Sequence, residues 1–131
     1  MDSRDRAELL DRFSAAWGVG DIDALMVMMT ENCVFRASVG PEPGATFSGP
    51  DDVRRGFSLF IGAGATDPGV QTDTEDPLIS EDFAVTRWTS RYPRTDGPPV
   101  VVTACDILGF EGDRIRFKDT YRKVSGDLPP S

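Results

Sequence analysis

The stretch Val100–Val124, VVVTACDILGFEGDRIRFKDTYRKV, holds two runs of β-branched and aromatic residues on either side of Glu111-Gly112-Asp113. That punctuation reads as a tight hairpin turn between two strands. In the first run Val102, Ala104, Asp106, Leu108 and Phe110 fall on one face of a regular strand. A carboxyl in that company has two readings. It stands in water on a one-sided antiparallel sheet, or it sits in an apolar pocket with no charge on its own face. In the second case desolvation favours the protonated acid, and Asp106 becomes an acid/base candidate. The second run puts Ile115, Phe117, Asp119 and Tyr121 on one face, and Arg116, Lys118, Thr120 and Arg122 on the other. Period two does not say which face is inward, since one bulge or slip exchanges them. The expectation is that Asp119 turns toward the interior, with Lys118 as its competitor.

Just upstream, Pro93 to Pro99 with Asp96-Gly97 makes another turn, leading back to a strand over Phe83–Tyr92. On that strand Arg87 and Trp88 point to opposite faces. Trp88 with Tyr92 would form an aromatic wall, and Arg87 with Arg91 an anion clamp; the first arrangement leaves the arginines in water. Leu78–Ile79 and Val70–Thr74 are shorter strand candidates.

The N-terminal half has the helical period instead. Leu9, Leu10, Phe13, Ala16 and Trp17 make one stripe of a helix from about Ser3 to Trp17, stopped by Gly18 and Gly20. Asp21 caps a short second helix bearing Ile22, Leu25, Met26 and Met29. Cys33–Val39 reads as a strand, and Gly40-Pro41-Glu42-Pro43-Gly44 as a loop. A third helix starts at Pro50 after Gly49, with Asp51 and Asp52 in its first turn and Val53, Phe57, Phe60 and Ile61 buried. Gly62–Gly69 is a connection or a flap. Helices first and hairpin-linked strands last predict an α+β domain, with helices on one face of a curved sheet and a conical pocket between.

With 131 residues, 39% of them hydrophobic and 27% charged, the chain suits one compact domain. Its core is expected over about 6–124, with residues 125–131 a frayed tail. A net charge of −8 argues against nucleic acid and anionic membranes as partners. No membrane span or signal-peptide core is evident, so a cytoplasmic location is expected. The sequence has no histidine, which removes Ser-His-Asp and Cys-His catalysis, and Cys33 and Cys105 alone make no thiolate zinc site. No transition-metal site is therefore expected.

Taken together, WGVGDIDALMVMM, TENCVFRAS, FSGPDDVRRGF and CDILGFEGDRI followed by Tyr121 resemble, in this order, the nuclear transport factor 2-like superfamily. Within it the chain is similar to the SnoaL-like and ketosteroid-isomerase-like branch, over roughly Arg6 to Lys123. The resemblance implies a cone-shaped α+β barrel, a homodimer and a deep cavity. It also implies cofactor-independent isomerase, polyketide-cyclase-like, dehydratase or epoxide-hydrolase-like activity on a small, largely apolar oxygenated metabolite. Asp106 falls where ketosteroid isomerases hold a protonated Asp. The tyrosine of those enzymes aligns with Phe13 and their base near Arg36 or Ala37, so steroid-type isomerisation is not implied. Cyclases and epoxide hydrolases of this branch place an Asp on the last strand, where this chain has Asp119 and Thr120. The expected catalytic set is Asp106, Asp119, Lys118 and Tyr121, and the expected ligand-binding set is Trp17, Phe57, Trp88, Tyr92 and Thr120. The alternative is a non-catalytic ligand-binding or dimerisation module of the same fold.

Overall fold

A computed structural model describes residues 2–62 and 69–126. The Gly62–Gly69 connection and the 125–131 tail fall largely outside the described residues. Helix α1 spans Ser3–Val19, helix α2 Ile22–Val27 and helix α3 Pro50–Gly62. The strands are β1 Met29–Arg36, β2 Thr46–Ser48, β3 Gln71–Thr74, β4 Leu78–Ile79, β5 Phe83–Tyr92, β6 Val100–Glu111 and β7 Arg114–Val124. They form one curved, unclosed sheet in the order β2-β1-β7-β6-β5-β3, with β4 paired to β5. All pairings are antiparallel except β1 with β7.

The local signals explain most of these boundaries. Asp2 caps α1 by accepting from the Asp5 amide while Asp5 reaches back, a reciprocal capping box, and Gly20 ends that helix. Asp21 accepts from the Ala24 amide at 3.1 Å to start α2. Gly112 supplies the left-handed residue (φ 62°) that the β6–β7 turn requires. Several elements differ from expectation: α1 runs through Gly18 to Val19, and Met29, expected on α2, opens β1. The strand expected over Cys33–Val39 begins earlier, at Met29, because it continues α2 directly and pairs with β7. The short β2 is not foreseen; three residues carry too little alternation, and it exists by pairing Phe47 beside Phe35.

The core lies where the three helices meet β1 and the concave side of the sheet. Leu9, Leu25, Phe35, Val53, Phe57, Leu108 and Ile115 are essentially sealed from water. Phe35 is the hub of an aromatic cluster, with Phe57 at 5.0 Å, Phe60 at 5.6 Å, Phe47 at 5.7 Å and Trp17 at 6.5 Å between ring centroids. Ring pairs at such spacing add to the area they bury. The helices cover one half of the concave face, and the other half is left as a cavity.

A β-bulge decides which way β7 faces. Phe110 pairs with Ile115 and Gly109 with Phe117, so Arg116 is the extra residue. Before the bulge Ile115 points into the core; after it the inward positions are Lys118, Thr120 and Arg122. A side chain at Gly109 would collide with the Phe117 ring, which lies across it on the outer face. Thus both Ile115 and Lys118 are buried although they differ in parity.

Candidate active site

Continuous register across β5, β6 and β7 brings Thr86, Asp106 and Thr120 side by side on the concave face, with Lys118 diagonal to Asp106. Lys118 Nζ donates to Asp106 Oδ1 at 2.9 Å and to Thr120 Oγ1 at 2.9 Å. Thr120 Oγ1 in turn donates to the same Asp106 Oδ1. The three polar groups close a small ring on a wall that also carries Thr72, Thr86, Ser90 and Arg122. The Lys118 ammonium also lies 4.5 Å from the Trp17 ring centroid and 5.1 Å from that of Phe35, a cation–π arrangement favoured when the cation is desolvated.

This corrects the expectation that Asp106 has no charge beside it. The cation comes from the neighbouring strand, which the alternation of β6 alone cannot reveal. A paired, hydrogen-bonded carboxylate replaces the lone acid in an apolar pocket. Its Oδ2 receives no hydrogen bond among the described residues and is not sealed in, so it faces the cavity. An ammonium has three N–H donors. Two are committed to Asp106 and Thr120, and the third remains for the rings or for a ligand oxygen.

The cavity above this ring measures about 660 Å³, within the range of small-molecule sites. Trp17 of α1 and Phe60 of α3 bound it on the helix side, and Phe35 of β1 with Trp88, Tyr92 and Ser90 of β5 on the sheet side. Of the expected ligand-binding residues, Trp17, Trp88, Tyr92 and Thr120 line it. Phe57 does not: it is fully buried beneath Trp17, edge to face at 5.2 Å, and backs the wall. Trp88 points in, while Arg87 and Arg91 point out to Glu75 and Asp73.

Asp119 and Tyr121 are not in the cavity. Both lie on the convex face, where Tyr121 OH donates to Asp119 Oδ2 at 3.3 Å and Arg36 stands 3.9 Å away. The bulge at Arg116 gives the physical reason, since it sets the phase of every later position on the strand. Of the expected catalytic set, the structure brings together Asp106 and Lys118 and separates them from Asp119 and Tyr121. Many cavity residues are absent from the expected set, among them Phe35, Phe60, Thr72, Ser90 and Arg122. Phe35 is detectable from the Cys33-Phe35-Ala37 alternation, and Ser90 carries no signal apart from its register with Trp88. Among the described residues no cluster of three or more His, Cys, Asp or Glu could hold a metal ion. No helix among them is long and apolar enough to cross a membrane.

The family model of the SnoaL-like domain matches residues 10–117 of the chain. Among solved structures, an NTF2-like protein of unknown function from Mesorhizobium loti shares 27% identity, with a TM-score of 0.71 over 92% of this chain and 93% of that one. The epoxide hydrolase/cyclase-like enzyme SalBIII, which has a role in pyran ring formation in the polyether salinomycin, gives 17% identity and a TM-score of 0.71. The alignment covers 93% of each chain. A provisionally assigned ketosteroid isomerase from Kribbella flavida gives 13% identity and a TM-score of 0.70, over 99% of this chain and 86% of that one. At such identities the last two establish shared fold alone. No curated protein matches the sequence.

Proposed function

We propose that this chain, which belongs to the SnoaL-like domain family, is a cofactor-independent enzyme moving protons on a small, largely apolar, oxygenated substrate. The observation that carries the reading is the enclosed Asp106–Lys118 pair, whose side chains are only 8% and 6% exposed. Packed apolar residues in place of a buried ion pair are often neutral or stabilising, so folding does not require these charges. Asp106 Oδ2 is a free acceptor at the cavity wall, suited to take a proton from a substrate C–H or O–H. The third Lys118 N–H can donate to a substrate oxygen as negative charge develops there; a preorganised donor of that kind is worth about 10²–10³ in rate. Thr120 holds both partners in place. A base beside an oxyanion donor serves isomerisation, cyclisation, dehydration or epoxide opening.

A second reading, a non-catalytic ligand-binding module, is favoured by one observation. Phe13, which aligns with the tyrosine of the ketosteroid isomerases the sequence resembles, stands at the cavity without a hydroxyl, and neither Arg36, which points out of it, nor Ala37, the two residues nearest their base, is a base. NMR of a panel of enones, hydroxyketones and epoxides separates the two readings. Native protein is expected to turn over at least one class, and Asp106→Asn and Lys118→Met to lose about 10²-fold or more. Binding across the panel with no turnover supports the binding module instead.

The reading includes a homodimer, formed through the convex face of β5–β7, where Val85, Val101, Ile107 and Phe117 remain partly open to solvent. Sedimentation at micromolar concentration should show twice the 14.3 kDa chain mass. A monomer alone contradicts it.

A further inference from the structure

The inward residues of the sheet stand in rungs, because the registers of β3, β5, β6 and β7 run on without a break from Gly109 of β6 to its start. Thr86, Asp106 and Thr120 form one rung, and Thr74, Trp88, Ala104 and Arg122 the next. Thr72, Ser90, Val102 and Val124 form a third. The first rung carries the Asp106–Lys118–Thr120 ring. The second presents the Trp88 ring and the Ala104 methyl in its middle, with the Arg122 side chain at its solvent-exposed end. On the third, Ser90 is a buried polar residue at 5% exposure, and its hydroxyl lies 2.8 Å from that of Thr72. Both line the same cavity.

We propose that Thr72 and Ser90 form a second polar subsite, so that the cavity takes an elongated ligand, apolar in its middle and oxygenated at both ends. The edge strand β3 is already held by four backbone residue pairs with β5, so a hydroxyl contact between exposed Thr72 and buried Ser90 is not needed to dock it. One hydroxyl proton is spent between the two oxygens. The other remains free, together with unused lone pairs, to meet a ligand hydroxyl or carbonyl. Two rungs separate Ser90 from Asp106, four residues of extended strand, or about 13 Å. The ligand spans that length over Trp88 and Ala104, with Trp17 and Phe60 above. The proposal rests on the first rung being a ligand-binding end of the cavity, though not on any reaction there.

Trp17 and Trp88, the two tryptophans of the chain, both line the cavity, so their fluorescence reports binding directly. The probes are α,ω-decanediol and decanol, which differ by one terminal hydroxyl, and the shorter pair α,ω-hexanediol and hexanol. Native protein should bind decanediol about three- to tenfold tighter than decanol, the worth of one neutral hydrogen bond. The hexane pair should show no such preference, since hexanediol is too short to reach both ends. Ser90→Ala and, separately, Thr72→Val should bring the decane ratio to about one. A native decane ratio near one, an equal preference in the hexane pair, or a ratio unchanged in both variants overturns the subsite. These are binding ratios, so an absence of turnover defeats the enzymatic reading and leaves this result standing, and the reverse also holds.

Discussion

Strand β7 places two ion pairs on consecutive residues, and they could hardly differ more. Lys118 turns to the concave face and meets Asp106 at 2.9 Å with both side chains nearly sealed. Asp119 turns to the convex face and meets Arg36 only at 3.9 Å, with Arg36 half exposed. In water a pair like the second contributes little, because high dielectric and side-chain entropy cancel most of the attraction. Inside, each charge has lost its hydration, so neither can be left alone. One residue of strand separates a pair with structural and chemical consequences from one with almost none.

Breaking each pair from its acidic side gives the largest expected contrast. Asp106→Ala strands a buried ammonium and should cost about 3–5 kcal/mol in urea unfolding. Asp119→Ala should cost at most about 1 kcal/mol. This reverses the expectation for an unpaired acid, whose removal would be harmless. The double change Asp106→Leu with Lys118→Met should recover most of the stability while abolishing turnover. If the double variant is as unstable as Asp106→Ala, the pair contributes to the fold in a way the geometry does not explain.

The bulge that separates the two faces can be tested next. Gly109→Ala drives a methyl into the Phe117 ring. Overpacking of this kind costs about 1–3 kcal/mol. The companion Phe117→Ala in the Gly109→Ala background removes the clash, so the two changes should be less than additive. Strict additivity would show that Phe117 does not press on Gly109.

The two cysteines sharpen the contrast with the smallest expected effect. Cys33 is fully buried behind the cavity, while Cys105 sits on the convex face and is partly exposed. Burial pushes the Cys33 thiol up from its ordinary range, with a smaller opposing backbone hydrogen bond. An acid whose folded pKa is raised contributes stability below its unfolded pKa, near 8.5. That contribution is lost as pH climbs above it, since the unfolded chain releases the proton first. Native protein should therefore lose slightly more stability than Cys33→Ala when pH is raised from 8 to 10. In the dissociated chain a thiol reagent at neutral pH should label Cys105 well before Cys33, and the convex-face dimer should slow the labelling of Cys105. Equal labelling rates would mean that the core opens far more readily than its packing implies. Protection of both would fit a second copy covering the convex face, and sedimentation would show it.

Much of this architecture is legible in the linear chain because it depends on near neighbours. Asp2, Asp21 and Pro50 start helices through contacts within one turn, and Gly112 makes a hairpin that only its own φ demands. Period 3.6 in the first half and period two in the second are likewise local, so the α+β class, the long β5–β7 meander and the inward Trp88 come from the sequence. So does Asp106 on an apolar face. Its partner does not, because Lys118 reaches it through cross-strand register and not through any spacing in the chain. Nor does the inward face of β7: Ile115-Arg116-Phe117-Lys118-Asp119 alternates cleanly, and a single extra residue at Arg116 turns every later side chain to the opposite face. Phe57 reads as a cavity residue because helical spacing shows that it is buried but not against what. Which side chains share a buried volume is a property of how strands pair and how the sheet curves over the helices, and at this site that was decided in three dimensions.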